Sequence, residues 1–186
     1  MDPSQPAPRI SPALPPYPTP IQAALDHVMP AGMAPLVLFQ TMARDERLFG
    51  RFMGGGLLDR GQLSLREREI AILRTCARCR SEYEWGVHVT VFAHKAGLSP
   101  EAIAATVGAE TPVDAFTPAE SCIVALMDAL HDTQTVSDEL WSQLRGHYSD
   151  PQLLELFLLA GFYHTVSYLT NGLRLPLEAF GARFPE

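Results

Sequence analysis

The sequence predicts an all-α fold: a single helical domain behind a proline-rich arm. Three observations lead there. Ser or Thr is repeatedly followed three residues later by Glu or Gln, a pairing in which two side chains reciprocally satisfy the orphan donors of a helix start. No convincing hairpin signal occurs between apolar runs. The 186 residues suffice for one domain with its own core, and apolar residues make up 47% of them against 19% charged, the composition of a folded chain with surface to bury in an oligomer. Fourteen Lys and Arg against 21 Asp and Glu give a net charge of −7, which argues against a broad nucleic-acid or anionic-membrane footprint. Three cysteines are too few, and odd in number, for a secreted disulfide framework, and the N-terminus lacks a basic-then-apolar leader, so a cytoplasmic location is expected.

Eight of the 16 prolines fall in residues 1–20, where fixed φ angles and missing N–H donors rule out a helix or a central strand. This arm is either a disordered tail or an extended strap that packs Ile10, Leu14 and Tyr17 onto its own or a neighbouring subunit. The domain is expected over residues 21–186. Ala34 to Phe52 reads as one helix with Leu36, Phe39, Met42, Ala43, Phe49 and Phe52 inward and Arg44-Asp45-Glu46-Arg47 wet, stopped by Gly54-Gly55-Gly56. Ser64 with Glu67 opens a helix to about Arg80, and Ser81 with Glu84 opens one ending near Gly97. The second competes with a strand over Val87–Phe92, whose β-branched alternation has no partner strand. Ser99 with Pro100, Thr117 with Pro118 and Glu120, Ser137 with two following acids, and Ser149 with Gln152 start the remaining helices. Leu153 to Tyr163 is apolar nearly all round, which places it in the core, at a subunit interface, or both; the run is too short for a membrane span.

Reactive side chains are densest between Arg66 and His94. On a helix from Ser81, Glu84 and His88 are an i, i+4 pair with Ser81 on a nearby face, and a carboxylate beside an imidazole raises its basicity and suits acid/base work. The structural alternative is that Glu84 only completes a capping box and His88 is a satisfied core histidine. Cys76 and Cys79 have redox-type spacing, but in the last turn of their helix the dipole disfavours thiolates, so buried, inert thiols are the preferred reading. A zinc site would require His88 and His94 to fold back onto that helix end, and no metal is expected. Cys122 reads as core. His27, His131 and His147 lack carboxylate companions at helical spacing, whereas His164 follows the apolar run and is a candidate cavity-lining residue. Tyr83 and Trp85 are packing aromatics or pocket walls. Gly54-Gly55-Gly56 lacks the spacing and preceding strand of a phosphate loop.

Leu65-Arg-Glu-Arg-Glu-Ile70, Glu82-Tyr-Glu-Trp-x-x-His88, Ala96-Gly-Leu-Ser99, and later Leu159-x-Gly-x-Tyr163 with Asn171, resemble the carboxymuconolactone decarboxylase family, which includes the alkylhydroperoxidase D proteins. The likeness spans roughly residues 34–180. The family's peroxidase branch carries a Glu, then Cys-x-x-Cys, then a His four residues on. Aligned on His88, that Glu is Glu69, and Ser81 and Glu84 stand where the two thiols would be, with Cys76 and Cys79 five residues too early. The resemblance therefore implies the non-peroxidase branch: cofactor-free lyase chemistry on a small organic acid or lactone. His88 would be proton shuttle, Glu84 its orienter, Glu69 a second carboxylate, and Ser81, Tyr83, Trp85 and His164 substrate-facing. Arg66, Arg68 or Arg74 would offset developing negative charge. It implies a homo-oligomer, a trimer or hexamer. The alternatives are a thiol peroxidase using Cys76 and Cys79, and a non-catalytic small-molecule-binding oligomer.

Overall fold

The computed structural model describes residues 7–30, 32–108 and 115–185. The first six residues of the arm lie outside them. The described residues contain helices and turns and no strand: α1 (Thr19–Val28), α2 (Val37–Met42), α3 (Glu46–Gly54), α4 (Leu65–Arg78), α5 (Glu82–His88) continued by a π-helical turn (Val89–Ala93), α6 (Pro100–Ala105), α7 (Pro118–Thr133), α8 (Asp138–His147) and α9 (Asp150–Gly172). The all-α expectation holds.

Capping boxes form where Ser64 meets Glu67, Thr117 meets Glu120 and Ser149 meets Gln152. Ser99 and Ser137 cap α6 and α8 by accepting from Ala102 and Leu140. One expectation is corrected and one choice between readings is decided. The single helix over residues 34–52 is two, because the Asp45 side chain accepts from the Leu48 backbone N–H at 2.8 Å and restarts the chain in a new direction; Arg44–Arg47 are exposed as expected, with Asp45 among them serving as N-cap. Over Val87–Phe92 the helix expected from Ser81 prevails over its rival strand: these residues finish α5 and enter the π turn. Crowded β-branched side chains disfavour a tight α-helix, which suits a locally widened one.

α4 is the hub. Every residue from Arg68 to Cys76 is buried, with α5, α7 and α9 packed around it. α9 runs well past the predicted Leu153–Tyr163 stretch and is long and apolar enough to cross a membrane. Here it is a core helix on one side only: Leu153, Leu156, Leu159, Tyr163 and Val166 are buried, while Leu154, Leu158 and Tyr168 are more than 60% exposed.

The described part of the arm is strapped down. Arg9 donates to the Leu173 and Gly172 carbonyls, the Ala13 N–H to the Gln40 carbonyl, and Arg44 Nε to the Ser11 carbonyl. Ala13 and Tyr17 pack on Ile21, Leu25, Ala43 and Phe49. The strap thus lies on its own subunit through Ala13 and Tyr17; Ile10 and Leu14, expected to pack, are exposed. Its last two residues already belong to α1, with Pro20 in the first turn, where its missing N–H is harmless.

Candidate active site

The turn between α4 and α5 sets the geometry. After Arg78 the chain passes through Cys79 to Arg80 at φ +54°, and the Ser81 and Arg80 N–H groups bond back to the Cys76 and Ala77 carbonyls, a Schellman closure with arginine in the left-handed position that glycine usually fills. α5 then folds back along α4 and brings His88 against Glu69. Glu69 Oε2 is 2.7 Å from His88 Nδ1, and Glu69 Oε1 accepts from Arg68 Nε and Nη2 at 3.1 and 3.0 Å. On the other side of the ring, His88 Nε2 lies 3.3 Å from Glu84 Oε1 and 3.2 Å from the Tyr163 hydroxyl of α9.

His88 is 2% exposed and Glu69 fully buried. Burial alone would push the His88 pKa down, but the charge and hydrogen bond of Glu69, seconded by Glu84, outweigh it and hold it up at about 9. His88 is therefore an imidazolium at neutral pH. Its Nδ1–H donates to Glu69, and its Nε2–H is shared between Glu84 and the Tyr163 oxygen. That leaves the Tyr163 O–H free to donate elsewhere, and burial keeps this phenol protonated well above its ordinary range.

Glu84 Oε2 is buried and has no hydrogen-bond partner. Glu84 and Tyr163 both line a cavity of about 540 Å³ whose walls are mainly apolar, among them Leu38, Phe39, Phe52, Phe92 and Phe162. A largely apolar chamber with a few convergent polar groups is the usual form of a small-molecule site. An imidazolium thus stands behind a carboxylate and a phenol that face the chamber, an arrangement able to deliver a proton and to donate a hydrogen bond to a developing oxyanion.

The expected constellation Glu69, Glu84 and His88 is assembled, with two roles exchanged. Glu69, gripping Nδ1, orients the ring, and Glu84 is the cavity-facing group. Ser81, expected to face substrate or cap α5, does neither: its hydroxyl pairs with Thr170 Oγ1 at 2.9 Å in the core. Tyr83 accepts from the Leu38 N–H and donates to Glu178, lining a separate groove with Arg80 and Asn171. Trp85 is a packing residue, its indole N–H donating to Thr106 Oγ1 at 2.9 Å and its ring against Phe184. His164 faces away from this chamber, toward Cys79 and His131. The arginines are committed elsewhere: Arg66 to Glu120, Arg74 bidentately to Asp128, and Arg68 to Glu69 and the Leu58 carbonyl. Cys76 has no exposure, and burial pushes both the Cys76 and Cys79 thiols up, against a reactive thiolate. Tyr163 was the missed residue. It sat in the quoted Leu159-x-Gly-x-Tyr163 stretch, but nothing local ties a tyrosine 75 positions away to His88.

Residues 46–129, 84 of the 186, match the carboxymuconolactone decarboxylase family. No match was found among curated proteins. Among solved structures, an uncharacterized peroxidase-related protein from Silicibacter sp. TM1040 aligns over 100% of both chains at 17% identity with a TM-score of 0.77. An alkylhydroperoxidase AhpD core protein, also uncharacterized and peroxidase-related, from Ralstonia eutropha JMP134 aligns over 95% of both chains at 20% identity, again with a TM-score of 0.77. The debrominase Bmp8 aligns over 87% of this chain and 86% of its own at 16% identity, with a TM-score of 0.66. Such identities establish the shared fold alone.

Proposed function

We propose, from the match of residues 46–129 to the carboxymuconolactone decarboxylase family, that this chain is a cofactor-independent acid/base enzyme acting on a small organic acid or lactone with an apolar body, through an enolate. The observation that carries the reading is Glu84, a carboxylate that lines an aromatic-walled chamber and has one oxygen without a hydrogen-bond partner, with the His88 imidazolium behind it. In a decarboxylation the bond to the carboxylate breaks, CO2 leaves, and its electron pair flows into the adjacent carbonyl. The Tyr163 O–H donates to the enolate oxygen while the His88 charge stabilises it. His88 Nε2–H passes its proton to Glu84 Oε1, the carboxyl group so formed delivers a proton to the enolate carbon and returns to the carboxylate, and solvent restores the imidazolium.

The expected homo-oligomer belongs to the same proposal, supported by the exposed apolar face of α9. Three free cysteines suit a reducing, cytoplasmic setting. The thiol-peroxidase alternative draws less support from two thiols held protonated, and the non-catalytic alternative less from a chamber with acid/base groups on its wall.

CO2 release from carboxymuconolactone and from a series of aryl β-keto acids tests the reading. Glu84→Gln removes the proton-delivering carboxylate at constant shape and should lower kcat at least about 100-fold; Tyr163→Phe should cost about 100- to 1000-fold. Undiminished turnover by Glu84→Gln on any accepted substrate contradicts the assignment.

A further inference from the structure

A second cluster of metal-ligating side chains lies across α9 from this chamber. Cys79 caps the C-terminus of α4, His131 stands in the last turn of α7, and His164 projects from the middle of α9. Three elements far apart in sequence thus place one sulfur and two imidazole nitrogens within 4.8 Å of one another, all half-buried. We propose that Cys79, His131 and His164 form a binding site for a divalent zinc ion.

The spacing supports this. His131 Nδ1 lies 3.2 Å from His164 Nε2 and 3.8 Å from Cys79 Sγ. Tetrahedral zinc, with bonds of about 2.0–2.1 Å to nitrogen and 2.3 Å to sulfur, sets edges of about 3.4 Å between nitrogens and about 3.6 Å between nitrogen and sulfur. Two edges of the tetrahedron therefore stand close to length, and the third lies within 4.8 Å.

The surroundings hold the ligands as a metal site requires. His164 Nδ1 is 2.8 Å from the Ala160 carbonyl, an acceptor only, so Nδ1 carries the proton and the bare Nε2 faces His131 and Cys79. This is the backbone-oriented histidine that usually accompanies metal ligation. Cys79 is pinned by Asn171 Nδ2, which donates to its carbonyl at 2.9 Å. Burial, with the neighbouring His164 and Arg78, lowers the His131 pKa and favours the neutral, ligating ring. Burial raises the Cys79 thiol, so it is protonated until a metal arrives; coordination then breaks the S–H bond, forms the Zn–S bond and releases that proton to solvent. One soft and two borderline donors suit zinc better than a hard cation such as magnesium or calcium. The cluster opens on a groove of about 410 Å³ walled by Leu130, Phe157 and Tyr168, which leaves the fourth position to water or a small ligand.

Calorimetric titration of the chelator-treated full chain with zinc chloride should give one equivalent bound per chain, with a buffer-dependent enthalpy reporting the released thiol proton. Cobalt(II) should give a thiolate-to-metal charge-transfer band at the same stoichiometry. Cys79→Ser should abolish that band, and Cys79→Ser and His164→Gln should each weaken zinc binding at least about 100-fold. Cys122→Ser, at a buried cysteine outside the cluster, should leave both readings unchanged, and circular dichroism checks that every variant is folded. Absence of stoichiometric zinc binding by the unaltered chain, or equal affinity in folded Cys79→Ser or His164→Gln, overturns the proposal.

Discussion

His88 shows most clearly what the fold adds to a side chain. Its intrahelical partner Glu84 could be foreseen from i, i+4 spacing, but Glu69 and Tyr163 arrive from α4 and α9, and they decide its charge. The raised pKa has a consequence for stability. In the unfolded chain the ring titrates near its ordinary 6.5, and in the folded chain near 9. Both forms are protonated below 6.5, so the stabilisation from holding the imidazolium is fully present there and is lost as the pH rises through about 9. The difference corresponds to about 3 kcal/mol. Denaturant unfolding across this range should show stability falling as pH rises, and His88→Gln should flatten the fall between about pH 6.5 and 7.5, before the thiols of the unfolded chain begin to titrate. A wild-type profile as flat as that of the variant over that interval contradicts the assigned charge. Glu69 and Glu84 were legible as candidates because they share a short stretch with His88. Which of them grips the ring and which faces the chamber was not, because that depends on a hairpin closed by Arg80 at positive φ.

Helix starts were legible wherever the signal was purely local. Ser64, Thr117 and Ser149 capped as their spacing predicts, since each box needs only one turn of its own helix. Ser81 carries the same pattern, yet a tertiary partner, Thr170, takes its hydroxyl, and Glu84 turns to His88. Asp45 was hidden in a charged run whose polarity suited two readings equally. The C-terminal segment, unassigned from sequence, is held to α5 by close backbone approach: the Ala182 N–H donates to the Gly86 carbonyl at 3.1 Å, and a Cβ on Gly86 would sit 2.2 Å from the Ala182 carbonyl oxygen. Backbone cannot swing aside as a side-chain tip can. Gly86→Ala should therefore destabilise the chain by about 1–3 kcal/mol and speed hydrogen exchange over residues 181–185, where Phe184 packs on Trp85. Wild-type stability and exchange in that variant would show that the contact is not needed.

The whole molecule wraps the acid/base groups of α4 and α5 in pieces that lie far apart in sequence. α1, which follows the strapped arm, supplies Ala24, His27 and Val28 to the chamber; α2 and α3 supply aromatic walls; and α9 supplies Tyr163 on one side and His164 on the other. The described part of the arm, an oddity of composition in the sequence, is a belt that packs through Ala13 and Tyr17 against α1 and α3. The account rests on a charged His88 standing behind Glu84 and Tyr163, and the ring nitrogens of His88 report it without any substrate. Nitrogen-15 NMR from about pH 6 to 10 should find both nitrogens protonated at neutral pH, titrating near 9 in the unaltered chain and at clearly lower pH in Glu69→Gln, where the orienting charge is gone. A ring that loses its proton at or below 6.5 in the unaltered chain, or one whose titration Glu69→Gln does not move, contradicts the account.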